Sequence, residues 1–230
     1  MRFGTSSTLC ALVAVGGAYA SVLPRVLDSY DLGMPVLERE VPVLQCDSQP
    51  LHVGQLKLVS SAGREVSAAF EGLRDADGFQ QLDVQKAGQP ARYENFAFTQ
   101  CNSTFMAYQP EANKAAEVFY GRLQPAHLVG KRCVAADYLA KADSRLIADK
   151  CNPSDDSGQL LQFWSLTKQP AAEEGKFQYY VNFLGQPDGQ SADFPGGYTL
   201  SKANVGANKL VRLAHNQDAG KPSAFFLKLA

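Results

Sequence analysis

The sequence lacks the features that mark several functional classes. It has no run of lysine and arginine, and its 22 basic and 23 acidic residues leave a formal net charge of −1. Binding to nucleic acid or to an anionic membrane surface depends on concentrated positive charge, so we expect neither as a main partner. Beyond the N-terminus, no segment approaches the length that spans a bilayer, so no membrane span is expected. The composition suggests no cofactor, and none is predicted.

Signatures of catalysis and metal binding are also missing. The sequence contains neither Gly-x-Ser-x-Gly nor His-Glu-x-x-His. Its three histidines, His52, His127 and His215, are far apart and lack the spacing of metal ligands. Two acidic pairs, at residues 155–156 and 173–174, lie in turn-rich segments and are interpreted as solvated turns. We therefore predict no catalytic residue, no metal site and no enzyme activity.

The N-terminus has the pattern of a secretory signal. Arg2 supplies positive charge, residues 9–15 are apolar, and residues 18–20 have the small-x-small form of a cleavage site. We expect residues 1–20 to be removed and the mature protein to be secreted and extracellular. A membrane anchor is the alternative, but the apolar run is short and is interrupted at residues 16–17.

Cysteine usage fits an oxidising compartment. Four cysteines follow the predicted signal: Cys46, Cys101, Cys133 and Cys151. An even number in a secreted protein predicts two disulfide bonds, and three pairings remain open. Asn102 begins an Asn-Ser-Thr triplet, so it is the predicted site of N-glycosylation.

The pattern of apolar and turn-forming residues changes after residue 45. Residues 21–45 are predicted to be an irregular leader, because their prolines disfavour a long helix. Residues 46–230 contain short apolar runs separated by turn residues, which is typical of an all-β sandwich or barrel. These runs divide into three repeats, with approximate boundaries 46–110, 111–170 and 171–230. Three four-stranded units around a pseudo-threefold axis would leave few exposed sheet edges.

Alignments within the chain support the repeat. The first set of similar segments comprises residues 96–103, 146–153 and 210–217. The second set comprises residues 161–164 and 223–226. The second set matches Trp164 with Phe226 and predicts a structural role for both. Gln162 and Trp164 alternate on one strand, so they share a face. A buried Trp would fill the core of its repeat, and Gln can bind backbone groups of a turn.

The second repeat carries a recognisable motif. It reads Gly130-Lys131-Arg132-Cys133, then a strand that ends in Cys151, then Gln162-Phe163-Trp164. This resembles the ricin B-type lectins, which combine a Gly-x-Cys-Leu pattern, a second cysteine on the third strand and Gln-x-Trp on the fourth. The resemblance implies a β-trefoil and a Cys133–Cys151 bridge, which would leave Cys46 to pair with Cys101.

The resemblance also implies a secreted, non-catalytic protein that binds a glycan or glycoprotein. In the family an Asp after the first cysteine, an aromatic ring and an Asn hold the sugar. Here Ala135 and Leu161 stand at the Asp and Asn positions, so neighbouring residues and a cluster in the third repeat take their place as candidates. The predicted carbohydrate-binding residues are Asp137, Tyr138, Gln162, Tyr198, Asn216 and Gln217.

Two other functions remain open. A trefoil can act as a scaffold for a protein partner, as a protease inhibitor or a secreted effector does, although that argument rests on fold analogy. A small secreted enzyme ranks last, because no nucleophile–base pair is apparent.

Overall fold

The computed structural model describes residues 41–70, 73–85, 94–112, 116–190, 193–206, 208–218, 220 and 222–230. The predicted signal peptide and residues 21–40 of the predicted leader lie outside the described residues. The last residues of the leader are in contact with the rest of the chain. Leu44 is buried, and Val43 forms an isolated β-bridge with Ser154.

The described residues form fourteen β-strands and no α-helix, which confirms the all-β prediction. In chain order the strands are β1 (Gln45–Cys46), β2 (His52–Ser60), β3 (Glu65–Ala69), β4 (Asp83–Val84), β5 (Asn95–Asn102), β6 (Glu111–Ala112), β7 (Glu117–Pro125), β8 (Arg132–Ala136), β9 (Ser144–Lys150), β10 (Trp164–Pro170), β11 (Phe177–Phe183), β12 (Gly197–Val205), β13 (Asn208–Asn216) and β14 (Phe225–Leu229). Two short 3-10 helices, Ala126–Leu128 and Ser157–Leu161, precede β8 and β10.

The strands follow the two-residue period of the sequence. In β11, Val181 and Phe183 are buried while the intervening Asn182 is exposed. In β14, Leu227 and Leu229 are fully buried on the same side. Successive side chains on a strand point to opposite faces, so an alternating apolar pattern buries one face of each strand.

Six of the strands close into an antiparallel barrel. The ring runs β2, β5, β7, β10, β11 and β14, and β14 pairs with β2 to complete it. Closure leaves none of these six strands as a free sheet edge. Large buried side chains fill the interior: Leu56, Leu58, Phe96, Phe98, Leu123, Trp164, Leu166, Val181, Leu227 and Leu229.

Three further strand pairs pack against this barrel. The pair β3–β4 lies between β2 and β5 along the chain, β8–β9 lies between β7 and β10, and β12–β13 lies between β11 and β14. β13 also pairs with β4 and β9, so the three pairs form one continuous layer. Val84, Leu146 and Val211 from this layer belong to the same core as the barrel side chains. The loops that end these strand pairs therefore lie on a rigid support.

One sequence alignment is wrong. Residues 96–103 align with residues 146–153 by pattern, yet Asn95–Asn102 is a barrel strand and Ser144–Lys150 belongs to a strand pair. Both segments are apolar runs that end in a cysteine. Strand pairing, which the local pattern does not reveal, separates them.

The predicted structural role of Phe226 is also wrong. Trp164 is fully buried, whereas Phe226 is 40% exposed. Leu227 and Leu229 face the core, so the alternation of the strand turns Phe226 outwards. Phe225 is the phenylalanine of this strand that packs against the core.

Candidate functional site

The Gln-x-Trp segment forms a framework beneath the candidate site. The indole Nε1 of Trp164 donates to the carbonyl oxygen of Val134 at 2.9 Å. Gln162 is buried, its Oε1 accepts from the backbone N–H of Asn152 at 2.9 Å, and its Nε2 donates to the carbonyl of Lys150 at 2.8 Å. The structure therefore keeps Gln162 away from any ligand, because its amide group is occupied by backbone partners.

Two disulfide bonds support this framework. Cys133 is bonded to Cys151 and Cys46 to Cys101, which confirms both predicted bridges. The first links β8 to the end of β9, directly behind the Gln162 contacts. The second attaches β1 to barrel strand β5, where Cys46 and Cys101 are opposite each other in the ladder.

A groove lies between the loop of the β3–β4 pair and the loop of the β8–β9 pair. Its volume is about 170 Å³, and Asp137 and Tyr138 both line it. Tyr138 is half exposed. Phe79, from the opposite loop, contributes a second aromatic ring to the lining. The structure therefore brings two predicted residues, Asp137 and Tyr138, together with Phe79, which the sequence analysis did not single out.

Arg145 organises the carboxylates of this groove. Its Nε pairs with Asp137 Oδ2, its Nη1 lies 3.0 Å from Asp75 Oδ2, and its Nη2 lies 3.7 Å from Asp77 Oδ2. The backbone N–H of Arg145 also donates to Asp137 Oδ1 at 2.7 Å. The hydrogen bond to Asp137 raises the pKa of Arg145 above its ordinary value, so the guanidinium remains charged. We define these four residues as the Arg145 clasp.

The clasp changes the role of Asp137. The Asp137 side chain is only 8% exposed, and both of its oxygens accept from Arg145. By contrast, the Asp77 side chain is 65% exposed at the mouth of the groove. Asp149, on β9, also lines the groove. Ligand hydroxyls would therefore meet Asp77 and Asp149 more readily than Asp137.

The sequence analysis did not identify Arg145 as a residue of the site, although its position opposite Asp137 in a hairpin could have indicated it. Ala136 pairs with Leu146 in the β8–β9 ladder, so the next residues outward, Asp137 and Arg145, are opposite each other. Opposite charges at facing positions of a hairpin stabilise it. Phe79 and Asp77 had no comparable signal, because their loop is far from β8–β9 in sequence.

The candidates at positions 198, 216 and 217 differ in their surroundings, and two of them are engaged by other parts of the chain. The Tyr198 hydroxyl accepts from the backbone N–H of Ala140 at 3.1 Å, and burial raises the pKa of Tyr198. Asn216 Nδ2 donates to Thr199 Oγ1 at 2.8 Å and to the carbonyl of Ala214 at 3.0 Å. Gln217 is exposed. Tyr198 therefore braces the loop that carries Tyr138.

The predicted glycosylation site adjoins a buried carboxylate. Asn102 is exposed at the end of β5. The hydroxyl groups of Ser103 and Thr104 both donate to Asp155, the latter at 2.6 Å, and the Thr104 N–H donates at 2.7 Å. Asp155 is 7% exposed, so its interpretation as a solvated turn residue is wrong. Burial by itself raises the pKa of Asp155, but hydrogen bonds from Ser103, Thr104 and Phe105 together hold it below the ordinary value.

Another cleft lies elsewhere on the described part of the chain. It has a volume of about 460 Å³ and is lined by His52, Phe177 and Tyr179, among others. The rings of His52 and Tyr179 stack with centroids 3.8 Å apart. Burial lowers the pKa of His52, which favours the neutral imidazole. None of the predicted carbohydrate-binding residues lines this cleft.

No protein-family model matches the chain, and no curated protein matches it. Among the described residues, no group of three or more His, Cys, Asp or Glu side chains is arranged to hold a metal ion. Within the same residues, no helix is both long and apolar enough to cross a membrane.

Proposed function

We propose that this protein is a secreted β-trefoil of the ricin B-type lectin family that binds carbohydrate without catalysing a reaction. The six-stranded barrel supports the trefoil, because a strand pair lies between β2 and β5, between β7 and β10, and between β11 and β14. The two disulfide bonds fit an oxidising, extracellular compartment. The buried Trp164 and the bracing Gln162 are consistent with the roles these residues have in a Gln-x-Trp repeat.

The groove beside Tyr138 carries the functional part of the proposal. The half-exposed Tyr138 ring lies beside carboxylates in a shallow cleft, with the Lys141 ammonium 3.3 Å from its centroid over one face, so the other face is the one offered to a ligand. The C–H groups of a sugar ring are attracted to an aromatic face, whose π-system is negatively polarised. Carboxylates accept hydrogen bonds from adjacent sugar hydroxyls, and such charge-assisted bonds are stronger than neutral ones. One site therefore offers both interactions that orient a pyranose.

The proposed ligand set differs from the family pattern. Ala135, at the family's Asp position, is 1% exposed and cannot contact a ligand. Asp137 is turned towards Arg145. Asp77 and Asp149 take over as acceptors in our proposal, and Arg145 adds a donor to the groove lining. Asp77 comes from the first repeat, so the site lies between two repeats.

The backbone of the loop that carries Tyr138 does not have the form of a substrate-like protease inhibitor. Ala140 has a φ of 55°, in the left-handed region. Its N–H donates to Tyr198, and the carbonyl of Lys141 accepts from the N–H of His215 at 2.9 Å. A protease cleft binds an extended segment through free backbone groups. This loop is neither extended nor free at those atoms.

Glycan binding by single variants tests the proposal. On a glycan array or an affinity column, Tyr138→Ala and Asp77→Asn should weaken binding by about tenfold or more, which corresponds to about 1.4 kcal/mol. Phe177→Ala is the matched control, because Phe177 is an exposed aromatic residue that does not line the groove. Retention of no glycan at millimolar concentration would refute the proposal, and equal losses in Phe177→Ala would place binding elsewhere.

A further inference from the structure

The outer wall of the barrel has a second cleft that the groove does not explain. It has a volume of about 330 Å³ and lies across β10, β11 and β14. Its lining consists of outward-facing side chains: Thr167, Gln169, Tyr180, Asn182 and Phe226. Thr167 pairs with Tyr180 in the ladder, and Val181 pairs with Leu227, so the adjacent Asn182 and Phe226 are side by side on the outer face.

The chemistry of this wall is uncharged. Two aromatic rings, two amides and two hydroxyls line it, and no carboxylate, ammonium or guanidinium group is among its lining residues. The nearest charges are outside the lining, where the ammonium groups of Lys228 and Lys57 lie 2.9 and 3.4 Å from the carboxylate of Glu65. A charged ligand would find no counter-charge among the lining residues, and a purely apolar ligand would leave the amides unpaired, which is unfavourable.

The Tyr180 ring lies along the wall rather than projecting from it. Its hydroxyl donates to Gln178 Oε1 at 2.9 Å. Residues two apart on a strand are on the same face and are separated by about 7 Å along it. The ring must extend along β11 to reach Gln178, so it contributes apolar surface along the cleft. Phe226, 40% exposed on the neighbouring strand, adds a second apolar surface.

We propose that this wall is a second saccharide site, for a short uncharged oligosaccharide. The Tyr180 ring and Phe226 contact the C–H faces of the sugar, and Asn182, Gln169 and Thr167 bind its hydroxyls. The cleft volume is at the lower end of the range for small-molecule sites, which suits a ligand of a few sugar units. This site does not depend on the groove at Tyr138, so the protein would be bivalent.

Backbone amide NMR with defined sugars tests the second site. The probes are uncharged hexasaccharides of β-1,4-glucose, β-1,3-glucose, α-1,4-glucose, mannose and N-acetylglucosamine, each titrated to millimolar concentration. At least one should shift the amides of the residues lining the wall. Tyr180→Ala should weaken that binding by about tenfold, and Tyr180→Phe, which keeps the ring, should change it by less than about threefold. Tyr138→Ala is the matched control and should leave binding at the wall unchanged.

The outcomes separate the two proposed sites. Shifts confined to the groove would overturn the wall site and leave the proposed function standing, whereas shifts confined to the wall would support the wall site and overturn the assignment of sugar binding to the groove. Absence of wall shifts with every probe would also overturn the wall site. Sedimentation analysis covers the remaining occupant: a dimer that Phe226→Ser dissociates would show that the wall binds a second copy of the chain instead of a sugar. Thermal unfolding of each variant would establish that it is folded. We expect the wall variants to fold, because Tyr180 and Phe226 both point outwards.

Discussion

The role of a single side chain in this protein depends on its hydrogen bonds as much as on its residue type. Asp155 is a turn residue by sequence, yet it is buried and accepts hydrogen bonds from Ser103 and Thr104. Hydrogen bonds to a charged group contribute more to stability than neutral ones. Asp155 therefore fixes the segment that follows β5, and the same contacts hold the hydroxyls of the predicted glycosylation triplet.

Replacing Asp155 should destabilise the fold. Asp155→Asn keeps the shape but removes the charge that these donors bind, so we expect the free energy of unfolding to fall by about 1–3 kcal/mol. Urea unfolding measures the change. Asp47→Asn, at an exposed position, is the control and should stay within about 0.5 kcal/mol of the parent protein. Equal stability of the two variants would contradict the role assigned to Asp155.

The lowered pKa of Asp155 leads us to expect that the stability of the fold depends on pH. The pKa of Asp155 is lower in the folded protein than its ordinary value of 3.8. Its contribution to stability is therefore complete above that ordinary value and is lost as the pH falls through the lowered folded value. The stability difference between the parent and Asp155→Asn should shrink between about pH 5 and pH 2. A difference that is constant over this range would show that the charge is not involved.

At the scale of strands and loops, the Arg145 clasp joins two segments distant in sequence. Asp75 and Asp77 follow β3, whereas Asp137 and Arg145 belong to the β8–β9 hairpin. The clasp holds the two sides of the groove at their observed separation. Sequence alone could suggest only the Asp137–Arg145 half of it, because only that half is local.

Removing the guanidinium should loosen both loops. Arg145→Met leaves the nearly buried Asp137 without its partner, so we expect a loss of about 1–3 kcal/mol in the free energy of unfolding. Amide hydrogen exchange should accelerate at residues 137–145 and 75–79 while the barrel strands stay protected. Arg132→Met, at an exposed position on β8, is the matched control. Faster exchange throughout the chain would show that the clasp supports the whole fold rather than the groove.

The strands themselves were largely predictable, but their partners were not. An alternating pattern indicates which residues form a strand and which face is buried. It does not indicate the neighbouring strand, so residues 96–103 and 146–153 look alike although one is in the barrel and the other is in a strand pair. A shift of one position was enough to exchange Phe225 and Phe226 between core and surface.

At the scale of the whole molecule, the two disulfide bonds constrain loops of different length. Cys133 and Cys151 are 18 positions apart in sequence, and Cys46 and Cys101 are 55 apart. In the chain-entropy account, a bridge stabilises by restricting the unfolded chain, and more so for a longer loop. The longer loop here runs from β1 to β5 and includes β2, β3 and β4.

Removing the longer-loop bridge should therefore destabilise the fold more than removing the shorter-loop bridge. The pair Cys46→Ser with Cys101→Ser should lower the free energy of unfolding by about 4 kcal/mol, and the pair Cys133→Ser with Cys151→Ser by about 3 kcal/mol. Denaturant unfolding followed by the fluorescence of Trp164, the one tryptophan in the chain, compares them. A larger loss for the shorter loop would mean that native contacts around Cys133 outweigh the effect on the unfolded chain.

The sequence by itself determined the all-β class, the presence of two disulfide bonds and the burial of Trp164 beside a bracing Gln162. These follow from strand period, the even number of cysteines and one compact motif, whereas the pairing of the cysteines was predicted only through the resemblance to the ricin B-type lectins. Tertiary structure alone decided the binding surfaces. It brought Phe79 and Asp77 to Tyr138, turned Asp137 towards Arg145, and placed Tyr180 and Phe226 on one wall. Those contacts join residues from different strand pairs or from neighbouring barrel strands, and only the pairing and packing of the strands in three dimensions sets which residues meet.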